Sequence, residues 1–99
     1  MKNVFQTPID ISKKLASNLK ALRLEKRWKR TTLADRAGVT ESTLRRFEVS
    51  GKISMGNFLK LLHALGRLDE MDAILNPSTV NSIAELEKQV KKTPKRGSV

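Results

Sequence analysis

Leu33-Ala34-Asp35-Arg36-Ala37-Gly38-Val39-Thr40-Glu41-Ser42-Thr43-Leu44-Arg45-Arg46-Phe47-Glu48 is the stretch on which the reading of this chain turns. Its first part has the apolar spacing of a short helix over 31–37, with Leu33, Ala34 and Ala37 inward. Gly38 follows where a helix end favours a residue able to take positive φ. Val39 is an inward anchor in the turn, and Thr40 is placed to cap a further helix over 41–48. In that helix Leu44 and Phe47 point inward, so Glu41, Ser42, Thr43, Arg45 and Arg46 face elsewhere. So few residues separate the two helices that long antiparallel packing is impossible. Two short helices crossing steeply over a tight turn remain.

Working outward, helical periodicity begins at Ser12, a candidate N-cap. Leu15, Leu19 and Leu22 recur at helical spacing beside Ala16, with Lys13, Lys14, Lys20 and Lys26 opposite. This predicts a helix to about residue 26, with Trp28 covering the edge of the core. Residues 1–11, which include Pro8 and show no periodicity, are expected to form an arm. Downstream, a turn at 50–53 leads to a helix capped by Ser54 and carrying Phe58, Leu61, Leu62 and Leu65, ended by Gly66. A fifth helix over 69–75 presents Met71, Ile74 and Leu75 before Asn76-Pro77 stops it. The acidic residues Asp69, Glu70 and Asp72 suit the start of that helix.

The domain is therefore expected over 12–75, with a tail over 76–99. In the tail, Ser82 and Glu85 have capping-box spacing, and Ile83, Leu86 and Val90 make a narrow stripe on a helix over 82–91. A helix that short is marginal alone and needs a surface to pack on. The basic end, 91–99, is expected to be disordered.

Twenty Lys and Arg against ten Asp and Glu give a net charge of +10, which points to a polyanionic partner, nucleic acid before an anionic membrane. Nine of the basic side chains lie in residues 1–30 against two acidic ones, so the charge is also unevenly placed. With no Cys and a single His, neither a disulfide framework nor a Cys/His zinc site is available, and no cofactor is expected. A small domain without those supports leaves a partner subunit as the expected staple. No apolar run approaches the ~18 residues of a membrane span, and the start lacks a secretory signal, so a cytoplasmic location is expected.

The stretch from Leu33 to Glu48 resembles the phage-repressor/Cro type of helix-turn-helix, the Xre family, and the likeness extends over roughly residues 12–75. The Leu-Ala opening, the Ala-Gly-Val turn, the Thr cap and the closing aromatic-Glu pair all fall at that family's spacing. The resemblance implies an all-α, five-helix DNA-binding domain whose 41–48 helix enters the major groove. It implies base-facing roles for Glu41, Ser42, Thr43 and Arg45, and a base or phosphate contact for Arg46. Glu41 either accepts from cytosine N4 or holds Arg45 at i+4.

Arg30 stands where the family often has a Gln that touches the DNA backbone. Lys29 replaces the usual small polar N-cap, and the cap is expected to slip to Thr31. Thr40 and Lys52 complete the expected DNA-binding set, Lys52 as a backbone clamp. Arg23 and Glu48 match a family ion pair that ties the reading helix to the scaffold.

Three functions follow. The first is a repressor acting as a homodimer on an inverted-repeat operator, with Met71, Ile74 and Leu75 as candidate dimer contacts. In the second, the ending resembles Xre members encoded beside HipA-type kinase toxins, which implies a HipB-like antitoxin that autoregulates its operon and offers Ile83, Leu86 and Val90 to a partner. The third is a module that binds protein only. His63 is expected to be hydrogen-bonded filler, Trp28 a core lid rather than a stacking platform, and no catalytic constellation is present.

Overall fold

The computed structural model describes residues 6–77. Among them are five helices and no strand: α1 (Pro8–Glu25), α2 (Arg30–Ala37), α3 (Glu41–Ser50), α4 (Met55–Ala64) and α5 (Leu68–Ala73). The expected all-α architecture is present. Of the arm and tail expected at 1–11 and 76–99, residues 1–5 and 78–99 lie outside the described residues, and with them Ile83, Leu86 and Val90.

The first helix starts earlier than the Ser12 cap implied. Thr7 is the N-cap: its Oγ1 accepts from the Asp10 amide at 3.2 Å, while its own amide donates to Asp10 Oδ2 at 3.1 Å. Pro8 occupies N1, where its missing N–H removes a donor that had no partner in the helix anyway. Residues 8–11 therefore belong to α1 rather than to an arm. Its buried residues are Ala16, Leu19 and Arg23, with Leu22 half-buried, while the expected core residue Leu15 is 41 % exposed. The inward stripe thus runs through an arginine.

The central pair forms as expected, with shifted ends. Lys29 is the N-cap of α2 without a side-chain cap bond, so the cap does not slip to Thr31. Gly38 closes α2 in the left-handed region at φ +77°. Thr40 caps α3 by accepting from the Thr43 amide at 3.1 Å. That helix runs past Glu48 to Ser50 and ends on Gly51 at φ +80°. Gly51 is fixed twice over, because a Cβ there would lie 3.1 Å from the Lys13 amide nitrogen and from the Ser12 carbonyl carbon. No other residue lets the end of α3 approach the backbone of α1 so closely.

Helix α3 packs on α1 and α2, and α2 packs on α4. Leu33, Leu44, Phe47 and Leu61 are fully buried, and the Phe47 and Phe58 rings meet edge-on with centroids 5.6 Å apart. Such a pair adds about 0.5–1.5 kcal/mol beyond the area it buries. Ser54 caps α4 through the Asn57 amide at 3.1 Å. The inward face of α4 is Phe58, Leu61 and, just beyond its end, Leu65; Leu62 is half-buried and His63 exposed, so His63 is not core filler. The chain divides into two units, 1–69 and 70–99, and this core belongs to the first. The last helix ends at Ala73, ahead of the expected 75, and Leu75 takes φ +60°.

Candidate nucleic-acid interface

Leu44 and Phe47 anchor one face of α3 in the core, and helical geometry turns the other outward. Ser42, Arg45 and Arg46 are exposed, with Thr43 and Glu41 half-buried. Ser42, Thr43, Arg45, Arg46 and Val49 line one surface recess along the helix. Thr43 and Arg46 also border a neighbouring recess shared with Lys52, Ser54 and Asn57. The outer face of α3 and the turn after it are therefore one continuous basic and hydroxyl-bearing surface.

Several side chains on this face are already engaged. The Thr40 hydroxyl caps α3 and donates to Thr43 Oγ1 at 2.8 Å, which orients the Thr43 side chain. Glu41 holds Arg45 through the i+4 ion pair, one of the two roles expected for it. Arg45 is nonetheless half exposed (51 % of its side chain), and such a surface pair contributes little stability, about 0.3–0.5 kcal/mol. The Ser50 hydroxyl donates to the Arg46 carbonyl at 2.7 Å and accepts from the Lys52 amide at 3.2 Å. That pair of bonds shapes the turn bearing Lys52, whose side chain is exposed.

Beneath the face lies a buried charge cluster. Arg23 Nε donates to Glu48 Oε2 at 2.8 Å and its Nη2 to Oε1 at 2.9 Å, a two-pronged grip. Its remaining Nη1 donates to the Trp28 carbonyl at 2.9 Å. Arg30 Nε adds a third bond to Glu48, on Oε1 at 3.0 Å. The Glu48 side chain is 1 % exposed and Arg23 7 %, so this is the expected Arg23–Glu48 pair in a buried setting. The Glu48 carboxylate of α3 thus joins α1 and α2, and Arg23 ties in the turn between them through the Trp28 carbonyl. Burial by itself pushes the Glu48 carboxyl up; the hydrogen bonds and charges of Arg23 and Arg30 outweigh it and hold the carboxyl below its ordinary 4.5.

Sequence reasoning placed Arg30 at the DNA backbone and did not see its bond to Glu48. The i+18 separation carries no local signal of that contact. Lys29 and Thr31 are exposed beside it. Trp28 is half-buried, with the Arg36 guanidinium 4.6 Å and the Lys26 ammonium 5.4 Å from its ring, so cations cover it. Val49 and Asn57 were not singled out from the sequence, where Ser54 reads only as a helix cap. The fold brings Ser54 and Asn57 beside Arg46.

A model of the helix-turn-helix family, of Xre type, matches residues 19–71, which include the outward face of α3 and the buried cluster below it. The chain belongs to the Xre-type helix-turn-helix family. It is thus a DNA-binding regulator domain, of a family that is generally non-enzymatic. No curated protein matches the chain. The matched span begins inside α1 and ends inside α5, so it takes in the whole α2–α3 pair and its supporting α4. Among the described residues no helix of this helix-turn-helix protein is long and apolar enough to cross a membrane, and no cluster of His, Cys, Asp or Glu is suited to a metal.

Proposed function

We propose that this protein is a sequence-specific transcriptional repressor that binds an inverted-repeat operator as a homodimer. Each protomer lays α3 in the major groove, with half-sites about one helical turn apart. One observation carries the reading: Ser42, Thr43, Arg45 and Arg46 project from a helix locked from behind by Leu44, Phe47 and Glu48. Arginine forks match guanine O6 and N7, and hydroxyls accept or donate to any base edge. Lys29, Arg30, Thr31 and Lys52 then serve the phosphates, which fix orientation without reading sequence. The helix α2 suits that role, since its uncapped N-terminus keeps backbone N–H groups available to an anion.

The homodimer rests on the small size of the domain and on apolar Met71, Ile74 and Leu75 near its end, the last two exposed. The narrower form of the proposal is a HipB-like antitoxin that represses its own operon and contacts a HipA-type kinase toxin through Ile83, Leu86 and Val90. Its support is the likeness of the ending alone. A kinase gene of that type beside this one, and co-purification of the two products, favours it. Its absence leaves a stand-alone repressor.

Selection from random duplexes followed by a mobility-shift assay tests the main reading. A palindromic consensus bound at modest salt and competed poorly by random DNA is expected. Failure to enrich any sequence refutes it and favours the protein-only module.

A further inference from the structure

Arg30 is pinned by a carboxylate that is itself sealed from solvent. Its Nε is 3.0 Å from Glu48 Oε1, its side chain is one-third exposed, and its two terminal nitrogens have no hydrogen bond among the described residues. A guanidinium held through Nε leaves both terminal nitrogens, the other edge of its planar fork, to match two oxygens of a phosphate. It stands in the first turn of α2, next to the uncapped backbone N–H groups of that helix.

We infer that Glu48 is a positioning residue for DNA: it touches no DNA, yet sets affinity by holding the Arg30 fork in the orientation that grips one backbone phosphate. The inference rests on the DNA-binding reading and adds to it a residue on the protein side of the interface. Charge balance makes it a sharp claim. Arg23, Glu48 and Arg30 together carry one net positive charge. Removing the carboxylate's charge raises that to two, so electrostatics at a distance predict tighter DNA binding. Positioning predicts the opposite sign, because a guanidinium released from Glu48 loses its fixed geometry and must be ordered again on binding.

The second arginine keeps the two roles separable. Arg23 holds Glu48 through two bonds of its own, so Glu48 stays in place when Arg30 is changed. Arg30→Lys retains the charge but has a single nitrogen, which cannot sit on Glu48 and present a fork to a phosphate at once.

The test measures binding of the full-length protein to its selected operator for wild type, Arg30→Lys, Arg30→Ala, Glu48→Gln and the Glu48→Gln/Arg30→Ala double variant. Each is first shown to be folded by circular dichroism and thermal unfolding. Arg30→Lys is expected to lose roughly ten-fold, the equivalent of about 1.4 kcal/mol, and to fall close to Arg30→Ala. Glu48→Gln is expected to weaken binding similarly in the wild-type background and to have no effect where Arg30 is already Ala. Unchanged binding by Arg30→Lys overturns the inference, whether or not Glu48→Gln folds. So does tighter binding by Glu48→Gln, or an equal loss from it with and without Arg30. A wild-type protein that binds no selected sequence defeats the underlying reading instead, which is a separate result.

Discussion

Gly38 and Gly51 have nearly the same backbone, φ +77° and +80°, but different surroundings. A Cβ at Gly38 meets nothing within 4 Å, whereas at Gly51 it lies 3.1 Å from the Lys13 amide nitrogen and Ser12 carbonyl carbon and 3.2 Å from the Ser12 carbonyl oxygen. Replacing each by Ala separates the cost of conformation from the cost of contact. Both variants bear the left-handed penalty of an L-residue, about 1–2 kcal/mol. Only Gly51→Ala must also push backbone apart. Neither α1 nor the end of α3 is a flexible side chain that swings away, and overpacking of this kind costs a further ~1–3 kcal/mol. Gly38→Ala is therefore expected to destabilise by about 1–2 kcal/mol and Gly51→Ala by about 2–5 kcal/mol. In a domain this size each kcal/mol moves Tm by roughly 4–8 °C, so the two melting curves separate by about 4 °C at the least. Urea and thermal unfolding of both variants at one protein concentration supply the measurement. Equal losses would show that the α1–α3 approach is loose and that conformation alone explains Gly51.

Arg45→Ala or Arg46→Ala is expected to cost about 1–3 kcal/mol on the selected operator and to relax preference at particular base pairs; equal losses on operator and random duplex contradict base contact. Lys52→Ala should weaken binding evenly across sequences and reduce the slope of log affinity against log salt by about one unit, so titrations at several salt concentrations decide its phosphate role. The Glu48 carboxyl sits below its ordinary 4.5 in the folded protein. Its contribution is therefore fully present above that value and lost as pH falls through the depressed folded one. Unfolding free energy measured from neutral pH downward should drop across that acid window, and Glu48→Gln should flatten the drop while lowering stability at neutral pH. A variant with the same acid profile as wild type would place the sensitive group elsewhere.

The helix-turn-helix unit was legible because its signals are local. Gly38 after an apolar triplet, Thr40 as a cap, and Leu44 with Phe47 at one helical spacing mark the ends and the inward faces of two short helices within a few residues of sequence. The start of α1 was equally local and was misread. Thr7, Pro8 and Asp10 are a cap, an N1 proline and the N3 partner of a capping box, but a proline weighed as a helix breaker hides a helix start. Leu15 and His63 failed for another reason. Periodicity gives the direction of an apolar face to within a residue or so, and only the packing partner settles which neighbour is covered.

By itself, then, the amino-acid order determined the five helices found among the described residues, the position of the tight turn and the outward set on α3, since each depends on residues within a turn or two of one another. Tertiary structure alone decided that Arg30 shares the Glu48 carboxylate with Arg23, that Gly51 touches the backbone of α1, and that Ser54 and Asn57 border the same surface as Arg46. Those relations join residues far apart in the chain, and no local preference records them. They exist only once α1, α2 and α4 have closed around α3, where burial makes a shared charge and a missing Cβ matter.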